Sequence, residues 1–149
     1  MIRPATAADE EAIRACAMAA YQRYVAAIGR KPAPMLADFA AQIAAGDIEV
    51  AEDETTGTLQ GFIVSFPRGD HMFLENVAVH PEAAGQGIGK ALIARCESEA
   101  RRRGLGSVQL YTNVKMVENL SIYPRLGYVE TGRRHEDGFD RVYFEKPLG

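Results

Sequence analysis

At 149 residues, 47% hydrophobic and 25% charged, the chain has the length and make-up of one soluble globular unit with a real core. A net charge of −3 offers no broad basic field to nucleic acid or anionic lipid, so neither partner is expected. No apolar run approaches the roughly 18 residues of a membrane span, and no signal peptide follows Met1, so a cytoplasmic protein is expected.

Ile2-Arg3 is a short first strand in this reading. Thr6 and Asp9 have the spacing of a capping box, so a helix should run from about Ala7 to Val25. Ile13, Ala17, Tyr21 and Tyr24 fall near one face of it. Cys16, on the same helix, and the distant Cys96 lack close metal-type spacing; they read as reduced, buried thiols, and no metal is expected. Gly29 to Pro34 must be a loop, because two prolines and a glycine cannot continue the helix. Leu36, Phe39, Ala40 and Ile43 suggest a second helix, ended by Gly46.

The pattern then changes to strands. Ile48 to Glu52 and Thr58 to Pro67 flank the turn residues Asp53 to Gly57, and His71 to Val79 follows a turn at Gly69-Asp70. After Pro81 comes the loop Gly85-Gln86-Gly87-Ile88-Gly89, then a helix to about Arg103 that Gly104 closes. Arg101, Arg102 and Arg103 suit the negative end of that helix and read as a solvated cap rather than a phosphate site. Val108 to Thr112 is a strand and Met116 to Leu126 a helical stretch. Tyr128 to His135 and Phe139 to Lys146 form a last hairpin around Glu136-Asp137-Gly138.

The order is β-α-α-β-β-β-α-β-α-β-β, and only the crossover through the long helix demands parallel neighbours. The class is therefore α+β: a mixed, mostly antiparallel sheet with a parallel β-α-β crossover and flanking helices. No repeat or linker interrupts residues 1–149, which read as a single domain.

The strongest chemical signal is the segment from Val77-Ala78-Val79 through Gly85 to Lys90. Glycines let backbone N–H groups converge unobstructed, and the helix N-terminus adds partial positive charge, which together suit phosphate oxygens. Spacing excludes two rivals. A dinucleotide fingerprint, G-x-G-x-x-G, would end on Lys90 or Leu92, and a P-loop would begin on Ala84 and end on Ala91.

The segment resembles the coenzyme A loop of the GNAT superfamily of N-acetyltransferases, R/Q-x-x-G-x-G/A, on Ala84-x-x-Gly87-x-Gly89. Val77-Ala78-Val79-His80-Pro81 is similar to the family's fourth strand, and Tyr123-Pro124-Arg125-Leu126-Gly127-Tyr128 to its Tyr-x-x-Leu-Gly-Phe ending. Ala84 departs from the family, which usually has Arg or Gln there to brace the loop. The resemblance covers nearly the whole chain and is firmest from Leu74 to Tyr128.

What it implies is transfer of an acetyl group from acetyl-CoA to a primary amine of a small molecule or protein. A non-catalytic sensor of acyl-CoA is the alternative. Splayed strands would expose the backbone of Val77, Ala78 and Val79 to the pantetheine arm, with the pyrophosphate on Gly85, Gln86, Gly87, Ile88, Gly89 and Lys90. Tyr123 stands at the family's general-acid position. A phenol of pKa about 10 is protonated at neutral pH and can donate to a thiolate whose acid has a pKa of about 8.5.

Asn119 is one helical turn before Tyr123 and could hold the arm or orient the phenol; a plain helix N-cap is an equal reading. The family's more usual asparagine position holds Met116. Glu75 is the candidate base, and alternation puts it on the same sheet face as Val77 and Val79; a salt-bridged strand carboxylate is the competing reading. His80 and His135 are weaker candidates. Pro124 should kink or end its helix. Family members often pair, so a homodimer is one assembly the resemblance implies.

Overall fold

The computed structural model describes residues 1–149. Its strands are β1 (Ile2–Pro4), β2 (Ile48–Glu52), β3 (Leu59–Arg68), β4 (His71–Val79), β5 (Ser107–Asn113), β6 (Val129–Glu136) and β7 (Phe139–Pro147). They pair in the order β1-β2-β3-β4-β5-β7-β6. Every neighbouring pair is antiparallel except β4 and β5. The helix α4 (Ile88–Arg102) joins those two and carries the chain back to start β5 in the same direction as β4.

Helices cover both faces. Leu92, Ile93, Cys96 and Ala100 of α4 pack on Ile63, Leu74, Leu110 and Phe144. On the other face, Ile13, Cys16, Ala17 and Tyr21 of α1 (Glu10–Tyr21) meet Val50, Phe62, Val64 and Ala78. Cys16 and Cys96 thus lie in separate layers with the sheet between them. Burial pushes their thiols up, to about 12 and about 11, which keeps them in the unreactive form.

The first helix differs from a single run to Val25. A 3-10 turn covers Ala7–Asp9, α1 ends at Tyr21, and a second 3-10 turn, Gln22–Tyr24, leads into α2 (Val25–Ile28). The three-residue period of that second turn stacks Tyr21 and Tyr24 on one side, and both are buried. Leu36 is not part of the next helix. It sits 63% exposed in a 3-10 turn, Ala33–Leu36. The helix α3 (Phe39–Ala44) starts after Asp38, whose carboxylate accepts from the Ala41 N–H at 3.1 Å.

Asp9 accepts from the Thr6 N–H at 2.7 Å and from the Arg3 guanidinium at 2.9 Å through both oxygens. Arg3 foremost, against the cost of burial, holds the Asp9 carboxyl down at about 2, below its free value of 3.8. A depressed carboxylate stabilises the fold above the free value, and the contribution is lost as pH falls from about 4 through about 2. Arg3→Ala should therefore lower the urea midpoint at pH 7 and leave it nearly unchanged at pH 2. Equal losses at both pH values would contradict this.

Gly61 fixes the approach of β3 to β4. A Cβ there would stand 2.8 Å from the Ala78 carbonyl oxygen and 3.3 Å from Ile88 Cγ2. Gly61→Ala must push apart the strand or the first turn of α4, at a cost of about 1–3 kcal/mol. An unchanged denaturation midpoint would show that the neighbours yield freely.

β4 contains a bulge. Val64 pairs with Asn76 and Ser65 with Leu74, so Glu75 is skipped. The extra residue overturns simple alternation. Leu74 and Val77 pack into the α4 layer, whereas Glu75 accepts a hydrogen bond from Gln42 Nε2 of α3, on the α1 side. Glu75 does not share a face with Val77.

Candidate active site

β4 and β5 pair only at Met72 with Val108 and at Phe73 with Gln109. β5 stays paired with β7 as far as Asn113, and β4 with β3 as far as Val79. Beyond Phe73 the two strands therefore part, and one side of β4 has no neighbour. A cleft of about 850 Å³ opens at this parting. Val77, Ala78 and Val79 form one wall, and the N-terminal end of α4 lies at one end. The opposite wall is α5 (Val117–Arg125).

Gly85 and Gly87 have φ of +80° and +77°, and a Cβ at either would meet nothing within 4 Å. Backbone conformation, not lack of room, requires glycine at both. Gly87 is the N-cap of α4, so the first N–H groups of that helix have no partner within it and open toward the cleft. Gly85, Gly87, Ile88, Gly89 and Lys90 all line the cleft; Gln86 is exposed and does not. The lining also includes Arg23 and Arg125, neither of which the sequence marked as a site residue. Arg125 in a last helical turn looks like an ordinary cap, which conceals it.

Tyr123 is buried, its ring packed against Tyr128 at 5.6 Å and Phe144 at 5.7 Å between centroids. Pro124 ends the helix one residue later rather than bending its middle. Gly127, at φ +95°, turns the chain, and the Tyr128 N–H bonds back to the Tyr123 carbonyl at 3.0 Å while the Gly127 N–H bonds to Pro124 at 3.1 Å. This closure fixes the Tyr123 backbone. Burial, with Cys96 adding to it, pushes the phenol well above its ordinary value, and no hydrogen bond offsets that. The hydroxyl stays protonated.

A second, narrower cavity of about 40 Å³ lies on the α1 side, between the Pro32-to-Pro34 loop and the strands. Glu75, Asn76, Tyr111 and Arg141 are in its wall. Tyr21, Val77, Asn119 and Tyr123 line both spaces, so the two meet at these residues. The Tyr21 hydroxyl lies 2.7 Å from Asn76 Oδ1 and 2.9 Å from the Val77 carbonyl, sharing one proton between them. Asn76 in turn donates to the Pro34 carbonyl at 3.1 Å, which ties the loop to β4.

Asn119 is not an N-cap. Met116 takes that place, and Asn119 lies inside α5, its Nδ2 donating to Thr112 Oγ1 of β5 at 3.1 Å. Met116 itself is core. His80 accepts from the Glu82 N–H at 3.2 Å as a cap, and His135 pairs with Asp140 on the surface; neither lines the cleft or the cavity.

The profile of the Acetyltransferase (GNAT) family matches residues 11–128. An IAA acetyltransferase of Azospirillum brasilense is 31% identical over 110 residues, 71% of this chain and 72% of that one. Among solved structures, the PaiA N-acetyltransferase of Thermoplasma acidophilum, in complex with coenzyme A, has a TM-score of 0.80 at 21% identity. That superposition covers 99% of this chain and 98% of the other. The IAA acetyltransferase of Bacillus cereus gives a TM-score of 0.73 at 20% identity, with 99% of each chain covered. At such identities the solved structures establish the shared fold. No helix is long and apolar enough to cross a membrane.

Proposed function

The chain belongs to the GNAT acetyltransferase family, and from that premise we propose how its residues divide the work, with 1–149 acting as one unit. It is an acetyl-CoA-dependent N-acetyltransferase, and amines of small molecules or proteins are the acceptors in the family. The reading of the site is carried by one observation: β4 loses its β5 neighbour beside a glycine-lined helix start and a buried phenol.

The residues fit the cofactor. The room beside Gly85 and Gly87, where a Cβ would find no neighbour, suits phosphate oxygens against the helix N-terminus. Lys90 and Arg125 add positive charge to the same cleft, and Arg125 supplies a cation that Ala84 does not. The free side of Val77 to Val79 can bond an extended arm as a sheet edge bonds a peptide. When bound, acetyl-CoA supplies an activated acetyl thioester.

Tyr21, Val77, Asn119 and Tyr123 surround the point where cleft and cavity join, and there the acceptor amine meets the thioester carbon. Tyr123 donates its proton to the departing sulfur. Asn119, its Nδ2 engaged by Thr112, has its amide oxygen left to accept from the arm. Glu75, re-aimed by the bulge into the cavity wall, takes the proton of the incoming amine. The test is release of free coenzyme A across an amine panel. Release that depends on the acceptor is expected; none with any amine, while acetyl-CoA still binds, would overturn the reading.

A further inference from the structure

We infer that the acceptor carries a carboxylate beside its amine, and that Arg141 is the residue that binds it. This rests on the transfer reading above and names the substrate class of that site. Arg141 is only 9% exposed, yet it lines the narrow cavity that reaches Tyr123. It pairs with Asn113 at the end of β5, next to Val142, whose side chain enters the α4 core. Strand alternation therefore turns Arg141 to the opposite face, where the cavity is.

The guanidinium is held beside two aromatic rings. It lies 4.3 Å from the centre of the Tyr111 ring and 5.7 Å from that of Phe139. Its ion pairs, with Asp137 at 3.2 Å and Glu136 at 3.7 Å, both run through Nη1. Nε and Nη2 take no partner in the chain. They are not sealed in either, since Gln42 Oε1 is the sole buried side-chain polar atom without a bond. With Arg141 in the cavity wall, those donors are the ones left to meet a ligand there.

The carboxylates already present do not use up the charge. Asp137 is 79% exposed and screened by water, and Glu136 also accepts from the Tyr143 hydroxyl. A role limited to holding the β6–β7 turn would need Nη1 alone. A fixed guanidinium with two unengaged donors matches a carboxylate, which it can grip through both oxygens. Glu75, on the other side of β5 in the sheet order, provides the acidic group for the amine end. The narrow cavity favours a small amino acid or short peptide terminus over a long polyamine.

Matched acceptors test this: α- and ω-amino acids and dipeptides, each beside its carboxamide. Coenzyme A release is measured, and the Arg141 Hε–Nε resonance of labelled protein, assigned by its loss in R141M, is followed during titration in the presence of coenzyme A. The acids should show the lower KM and should shift that resonance. R141M should raise the KM for an acid roughly 10- to 100-fold and leave that for its carboxamide and for acetyl-CoA unchanged. R141K should restore part of the loss. Equal KM for acid and carboxamide, or an Arg141 resonance unmoved by every acid, would overturn the inference. A resonance that shifts without any coenzyme A release would uphold Arg141 and count against the transfer roles instead.

Discussion

Tyr123→Phe should lower kcat by roughly 10²- to 10⁴-fold while the KM for acetyl-CoA and the denaturation midpoint stay close to those of the parent. The three expectations have separate causes. The ring packs against Tyr128 and Phe144, and phenylalanine keeps that packing. The hydroxyl makes no hydrogen bond within the chain, so its removal strands no partner. Only the proton delivered to sulfur is lost. Burial holds the phenol in its protonated form, so the parent enzyme should show no alkaline fall in kcat from this group below about pH 10. A kcat within twofold of the parent would remove Tyr123 from proton transfer.

The double substitution Gly85→Val and Gly87→Val should weaken acetyl-CoA binding by roughly 10²- to 10³-fold, read by calorimetry. Both positions lie at positive φ, which costs a β-branched side chain about 1–3 kcal/mol each. The loop must either accept that strain or leave the conformation that aims its N–H groups at the cleft. Because a Cβ at either position meets nothing within 4 Å, the fold should survive better than the affinity. Unchanged affinity in a folded variant would mean that the pyrophosphate is held elsewhere.

The strands were legible because each has its own local period. His71–Val79 and the turn before it need only alternation and a Gly-Asp pair to be found. The glycine loop was legible for a similar reason, since three glycines on alternate positions are more than a turn requires. Bulges and distant contacts were not. Nothing near Glu75 signals that β4 has one residue too many against β3, yet that single insertion changes its face. The helical period puts Tyr21 on one face of its helix and says nothing of what its hydroxyl bonds. Its bonds to Asn76 and Val77 span 55 and 56 residues, a closeness only the folded sheet creates. Arg141 was hidden in the same way, since nothing in the hairpin's sequence signals that its side chain is buried in the cavity wall.

A titration of labelled protein with acetyl-CoA, followed through backbone amide resonances, tests the central claim most directly. The largest movements should fall on Val77 to Val79 and Gly85 to Lys90, with Asn119 and Tyr123 next. Movements concentrated on β6 and β7, or none at concentrations that saturate a related enzyme, would contradict it.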